Sequence, residues 1–394
     1  MYQQDHWLLP EGIQEVLPHQ AQRLETLRRE LLDLFASWGY ELVIPPFIEF
    51  LESLLTGTGH DLDLQTFKLT DHITGRLLGV RADMTPQVAR IDAHNLLRDV
   101  PTRLCYMGTV LHARGDGLEK SRSPLQVGAE LFGHAGIESD FEVVRLMLEM
   151  LAVSGIQDVH IDLGHVGIFR GLANQAKLTS LQESKIFDVM QRKAAEELEV
   201  LVRSFGVSEG IAAMLLVLPK LNGARSVLDR AREELQLADA MVTTALDYLQ
   251  DLASKLNYLF PSLPINFDLA ELRGYHYQTG LVFAAFVPGY GREIARGGRY
   301  DDIGRIFGRA RPATGFSADL KVLVDLTAVL EQKQIDKISA PYSIDAELYE
   351  KIRDLRVQGK IVIQELPNQQ GTATDMGCGY RLNKRNGNWE VSPL

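Results

Sequence analysis

Two polar side chains interrupt an otherwise apolar run between Leu125 and Leu131, where Gln126 and Glu130 alternate with Leu125, Val127, Ala129 and Leu131. Successive strand side chains point to opposite faces, so Gln126 and Glu130 share one. A carboxylate there is either a member of a structural ion pair or a ligand group. Upstream, Arg81 and Asp83 are two apart in a strand-like run and pair with each other or serve a ligand, with Thr85 close behind. Arg273 adds a guanidinium, a planar donor fork suited to a carboxylate. Gly297, Gly298 and Gly308 are expected to be turn and close-approach glycines, because no P-loop lysine with a following serine or threonine accompanies them and the dinucleotide fingerprint is absent. The ten histidines show no metal-ligand spacing, and His112 is expected to be an inert loop residue. No metal and no cofactor is expected.

The frame around these residues resembles the class II aminoacyl-tRNA synthetases, specifically the histidyl enzymes. The stretch Tyr106 to Gly133 (YMGTVLHARGDGLEKSRSPLQVGAELFG) is similar to motif 2 of that family, two antiparallel strands and a loop running from Gly108 to Gln126 and Glu130. GYELVIPPFIEF, with Pro46 and Glu49, resembles motif 1, and VRADMTPQVAR carries the family's arginine, acidic residue and threonine at Arg81, Asp83 and Thr85. LRGYHYQTGLVF resembles the histidine-specific strand, and GGRYDDIGRIFGRARPATGF the approach to motif 3.

The resemblance implies two different fates for the two halves of the site. Where the histidyl enzymes place an arginine on the ATP α-phosphate and a glutamate on the adenine side, this chain has His112 and Arg114. Where motif 3 ends in a glutamate–arginine pair it has Lys321 and Val322. A mostly neutral imidazole and an aliphatic side chain cannot replace bidentate donors on a phosphate, each worth roughly 100-fold or more in stabilising transferred charge. Adenylate formation is therefore not expected, and no catalytic residue is assigned. The amino-acid half is kept. By resemblance Asp83, Thr85 and Gln126 hold an α-ammonium, Glu130 faces an imidazole, Arg273 pairs with a carboxylate, and Tyr277 remains of two tandem tyrosines, the second being Gln278.

These groups need a scaffold. Leu24, Leu27, Leu31, Leu34 and Trp38 recur at spacings of three and four, predicting a helix over 19–38 that stops at Gly39. A second helix is predicted from Asp140 to Val153 with Ser139 as its N-cap, followed by a half-buried strand in VHIDLG. The expected fold class is α+β: a class II synthetase-like antiparallel sheet flanked by helices over 1–330, with a helical insertion at about 170–262. Residues 331–394 are expected to form a small C-terminal α/β domain, with one helix (Ala346 to Val357), one strand (Lys360 to Glu365) and a polar tail. That is too short for the anticodon-binding domain that the resemblance implies in tRNA ligases, on the order of 100 residues.

A synthetase core with a broken nucleotide site, a kept histidine pocket and no anticodon reader is similar to one family of paralogues, the regulatory subunits of ATP phosphoribosyltransferase. Membership would imply a short-form catalytic subunit as partner in a hetero-octamer, four chains of each, with self-association as a dimer. It would also imply activation of that partner in the first step of histidine biosynthesis, and feedback inhibition by L-histidine as allosteric ligand. Composition agrees. A net charge of −11 disfavours a nucleic-acid partner, whose affinity comes largely from neutralised phosphates. With two cysteines, Cys105 and Cys378, no disulfide framework is expected, and without a secretory pattern or a membrane-spanning apolar run the expected location is the cytoplasm. Two other classes stay open: a divergent ligase using Arg122 or Lys120 in place of the lost arginines, and a sensor of uncharged tRNA.

Overall fold

The structure is a computed structural model that describes residues 7–55, 60–115, 121–270, 277–327 and 337–394. The chain divides into two compact units, 1–328 and 329–394.

The first unit is organised by a nine-stranded sheet among the described residues. Its order is Glu41–Leu42, Thr102–Thr109, Leu125–Phe132, Ala313–Asp319, Ala295–Arg299, Leu281–Phe286, His160–His165, Ile265–Asp268 and Asn222–Gly223. Pairing is antiparallel except where Glu41–Leu42 meets Thr102–Thr109 and where His160–His165 meets Ile265–Asp268. Register decides what each face carries. Val127, Ala129 and Leu131 lie level with Phe316 and Ala318 and, further along, with Phe283, Ala285, Ile161 and Leu163, and this face is buried. The helices Pro18–Ser37, Ile137–Val153 and Ala240–Leu259 contribute to the same core. The first offers Leu24, Leu27, Leu31 and Phe35 at helical spacing, with Phe35 edge-on to Phe316 at 6.3 Å, and the chain leaves it through Gly39 at φ +79°.

The opposite face is different in kind. Tyr106, Gln126, Gly128, Glu130, Gly298, Gly315 and Ser317 share it, a floor of polar groups and glycines that is bordered by a small apolar cluster of Met84, Val88, Leu104, Phe132 and Ile303. Helices fill the sequence between Val166 and Leu259, broken only by a short 3₁₀ turn and the two-residue strand Asn222–Gly223.

A buried ionic node ties sheet to helices. Arg299 donates to Asp140 (3.0 Å), Ser139 (2.7 Å) and Asp301 (3.2 Å), and to the carbonyls of His134 and Gly136 (3.2 Å each); the Tyr248 hydroxyl also donates to Asp140. Burial alone would lower the guanidinium pKa, but Asp140 and Asp301 outweigh it and hold the group charged. This node also corrects the expected helix start. The helix begins at Ile137 after Gly136, and Ser139 turns its hydroxyl back to the carbonyls of Gly136 and His134 while accepting from Arg299. A buried cation needing acceptors outcompetes the capping role.

In the second unit the sheet order is Ile361–Gln364, Lys337–Ala340, Tyr380–Arg385 and Asn388–Pro393. Helix Ala346–Val357, capped by Asp345, buries Leu348 and Ile352 against Ile338, Val362 and Leu382. The polar tail forms a hairpin turning at Asn386 (φ +48°) and Gly387 (φ +85°). Asn-Gly is a strong signal for a two-residue turn of this hand.

Candidate functional site

Glu130 sits at the centre of the polar floor, 1% exposed. Its Oε1 accepts from Thr85 Oγ1 (3.0 Å) and from the Tyr106 hydroxyl (2.9 Å), and its Oε2 accepts from the Tyr300 hydroxyl. Among the described residues no ion pair includes it. Burial, with Asp83 nearby, pushes its carboxyl up to about 8 against the lowering effect of the three hydroxyl bonds. Space for the carboxylate comes from Gly315, the cross-strand partner of Glu130, where a Cβ would stand 1.4 Å from Oε2. Glu130 is therefore a hydrogen-bonded carboxyl group that meets no cation among the described residues, where the ion-pair reading of the sequence does not describe it.

Asp83, Thr85 and Gln126 form the adjoining edge. Gln126 accepts from the Met84 backbone N–H (3.0 Å) and donates to Asp83 Oδ1 (2.8 Å), so its amide orientation is set by its partners. Asp83 Oδ1 also accepts from the Thr85 N–H (3.0 Å). Arg81 does not serve Asp83. It donates to the carbonyls of Pro45 (2.7 Å) and Thr109 (2.9 Å), passing over Gly108, where a Cβ would lie 2.5 Å from the guanidinium. The helix Thr85–Arg90 that presents Thr85 is held from motif 1: Glu49 accepts from Arg90 (2.5 and 2.6 Å) and Gln87 (2.6 Å). The groups of this edge are thus tied to one another and to the floor, and the helix that carries Thr85 is anchored from outside it.

Tyr277 and Gln278 close the far side. The Tyr277 ring lies 6.1 Å from that of Tyr300. The residue is 39% exposed, and burial of the phenol with Asp83 nearby pushes it up to about 12. Gln278 is 5% exposed and its Oε1 is buried without a partner. Arg273, expected to face a carboxylate, lies outside the described residues. Sequence reasoning missed Tyr106 and Tyr300. Tyr106 was within reach, two residues before Gly108 on the same strand, whereas only the strand register brings Tyr300 to Glu130.

The nucleotide positions have structural duties. His112 Nε2 meets the Ala82 carbonyl at 3.0 Å, and Arg114 is exposed. Lys321 donates to Ser123 O (2.6 Å), and Val322 packs on the main core. Arg122, the candidate substitute, donates to the carbonyls of His112 (2.9 Å), Ala113 (2.9 Å) and Glu11 (3.2 Å) and lies 5.1 Å over the Phe67 ring. Its hydrogen-bonding capacity is largely spent on the loop. Lys120 is outside the described residues.

A largely antiparallel sheet with motif 1, motif 2 and motif 3 segments around a polar floor is the core of a class II aminoacyl-tRNA synthetase. The family model described as histidyl-tRNA synthetase matches residues 12–323, and that described as the ATP phosphoribosyltransferase subunit HisZ C-terminal domain matches residues 335–392. The chain is 59% identical over 99% of its length to the ATP phosphoribosyltransferase regulatory subunit of Methylococcus capsulatus, covering 97% of that protein. It is 56% identical to the one from Alkalilimnicola ehrlichii, with 99% and 98% covered. Among solved structures it resembles an ATP phosphoribosyltransferase regulatory subunit/histidyl-tRNA synthetase from Bacillus halodurans (TM-score 0.83, 27% identity, 96% and 97% covered). The histidyl-tRNA synthetase of Nostoc shares the fold (TM-score 0.77, 18% identity, 98% and 97% covered). The chain belongs to the family of ATP phosphoribosyltransferase regulatory subunits, which serve histidine biosynthesis.

Proposed function

We infer that the chain is a non-catalytic subunit that activates a short-form ATP phosphoribosyltransferase in the first step of histidine biosynthesis and transmits feedback inhibition when histidine binds it. One observation carries the allosteric half of this reading. Asp83, Thr85, Gln126 and Glu130 are joined to one another and to Tyr106 by hydrogen bonds, while His112, Lys321 and Val322 are built into the scaffold where phosphate-binding groups would be needed.

Histidine would be held by Asp83, Thr85 and Gln126 at its ammonium, by Glu130 at its ring, and by Arg273 at its carboxylate, with Tyr277 over the site. Binding would bias one quaternary arrangement, which requires unequal affinity for two states. The assembly in this reading is a hetero-octamer, four of each chain. Its homodimer face is the motif 1 region, where Leu42, Ile44, Phe47, Ile48, Leu69 and Leu77 are exposed apolar residues. The second unit, with one helix and four strands among its described residues, is in this reading a small α/β domain rather than an anticodon reader, and the acidic charge argues against a tRNA partner. No helix among the described residues is long and apolar enough to cross a membrane, in keeping with a cytoplasmic place of action.

Amino-acid-dependent ATP–pyrophosphate exchange separates this reading from a divergent ligase. Exchange is expected to stay at background while histidine binds the isolated chain by titration calorimetry. Exchange above background with histidine or a related acid would overturn the non-catalytic reading.

A further inference from the structure

We propose that Glu130, left with one free position by the hydroxyls of Thr85, Tyr106 and Tyr300 and met by no cation among the described residues, binds its ligand with a linked proton, so that the site selects a ring that can both give and take a proton, a neutral imidazole, over a permanently charged or non-basic one. This rests on the histidine-pocket reading and names how that pocket chooses its ligand.

The count of acceptor positions is the first argument. A carboxylate offers about four lone-pair positions. Thr85 and Tyr106 use two on Oε1 and Tyr300 uses one on Oε2. A single position remains, on the oxygen that lies over Gly315. The direct neighbour of Gly315 is Gly298, and there the Gln278 Nε2 stands 2.7 Å from where a Cβ would be. Two adjacent glycines thus carry a carboxyl oxygen over one and an amide over the other, and Gln278 Oε1 is buried without a partner. A flat ring with one nitrogen at Glu130 and the other at Gln278 would use both remaining positions.

Charge is the second argument. The strand Thr102–Thr109 brings only Tyr106 to Glu130 from this face, and the segment ahead of helix Thr85–Arg90 brings the acid Asp83. The strand Ala313–Asp319 brings Gly315 and Ser317, and Ala295–Arg299 brings Gly298 and Arg296, whose guanidinium pairs with Glu293 at 3.3 Å. Tyr277 and Tyr300 come from the far side, and Tyr40, bonded to Glu142, also feels the Glu130 charge. Among these groups none neutralises a Glu130 carboxylate by direct contact, which favours a proton on its free position at neutral pH. That proton can be donated to a neutral ring nitrogen. Above about pH 8 the empty site has lost it, and ring binding then takes one proton from solvent into the carboxyl–imidazole pair.

The test is calorimetric titration of the full chain with histidine at about pH 7 and about pH 8.7, in two buffers of different ionisation heat, for the natural chain, Glu130→Gln and Tyr300→Phe. Glu130→Gln serves as the reference that cancels protons released by the ligand's own amine. Relative to it, the natural chain is expected to take up almost no proton at pH 7 and to approach one at pH 8.7, with at least threefold weaker binding at the higher pH. Tyr300→Phe removes a bond that favours the ionised carboxylate, so the rise in uptake should move to higher pH; a purely structural Tyr300 would leave it in place, and that result would remove its hydroxyl from the account. Equal uptake by the natural chain and Glu130→Gln at both pH values, with histidine bound, would overturn the proton linkage and leave the pocket standing. Absence of histidine binding at either pH would overturn the pocket reading itself.

Discussion

Alanine at Glu130 is expected to weaken histidine by about 100-fold or more and to release the assembled enzyme from feedback, while activation of the catalytic subunit persists. A site built to bond a polar group discriminates strongly when one partner is removed, because the others are left buried and unsatisfied. Here three hydroxyls would lose their acceptor, and the ligand ring its only carboxyl contact. Histidine inhibition curves on the reconstituted complex read the effect; an unchanged inhibition constant would place the effector elsewhere. The milder Glu130→Gln has a second signature in stability. The folded-state carboxyl titrates at about 8 and the unfolded one at its ordinary 4.5, so between these values the folded chain holds a proton that the unfolded chain has released. Stability attributable to this group therefore falls as pH rises through that window and levels off above it, by on the order of 5 kcal/mol in all. Denaturant melts of the natural chain should show this slope, and Glu130→Gln should flatten it.

Removing Asp140 by alanine is expected to cost about 3–5 kcal/mol, because it takes the buried counter-charge from the Arg299 guanidinium and leaves it only the more exposed Asp301. Arg299 is 6% exposed and Asp140 fully buried, and the same carboxylate also receives the Tyr248 hydroxyl, so one substitution loosens the strand Ala295–Arg299 from two helices. Replacing both charges together, Asp140→Leu with Arg299→Met, should recover most of the loss, since the cost lies in a buried cation without its buried partner and Asp301 is exposed enough to be solvated. Chemical denaturation of the three variants tests this. A loss below about 1 kcal/mol for Asp140→Ala would show that water reaches the node.

The class of fold was open to reading because its motif segments carry local signals that do not depend on tertiary context. Pro46 and Glu49, the Arg81–Asp83–Thr85 triplet and the Gly108-to-Glu130 frame are such segments, and the helix at 18–37 announces itself through Leu24, Leu27 and Leu31. What stayed hidden depended on register and on competition between partners. Tyr300 reaches Glu130 only because Ala295–Arg299, Ala313–Asp319 and Leu125–Phe132 are neighbouring strands. Gly315 looked like any strand glycine until its partner proved to be a carboxylate that fills the missing side chain's space. Ser139 had the right type for a cap, but a buried arginine claimed it. Arg81 and Asp83 lie just beyond the strand that ends at Val80, and each bonds to partners other than the other. The hairpin at Asn386–Gly387 is a separate case, since its signal was in the sequence and was passed over among polar neighbours.

The regulatory role is tested most directly by mixing the chain with a short-form ATP phosphoribosyltransferase catalytic subunit and measuring phosphoribosyl transfer with and without histidine. The account predicts that the chain alone forms no product, that its addition raises turnover, and that histidine then suppresses it. Turnover unchanged by the chain would contradict the account at its centre.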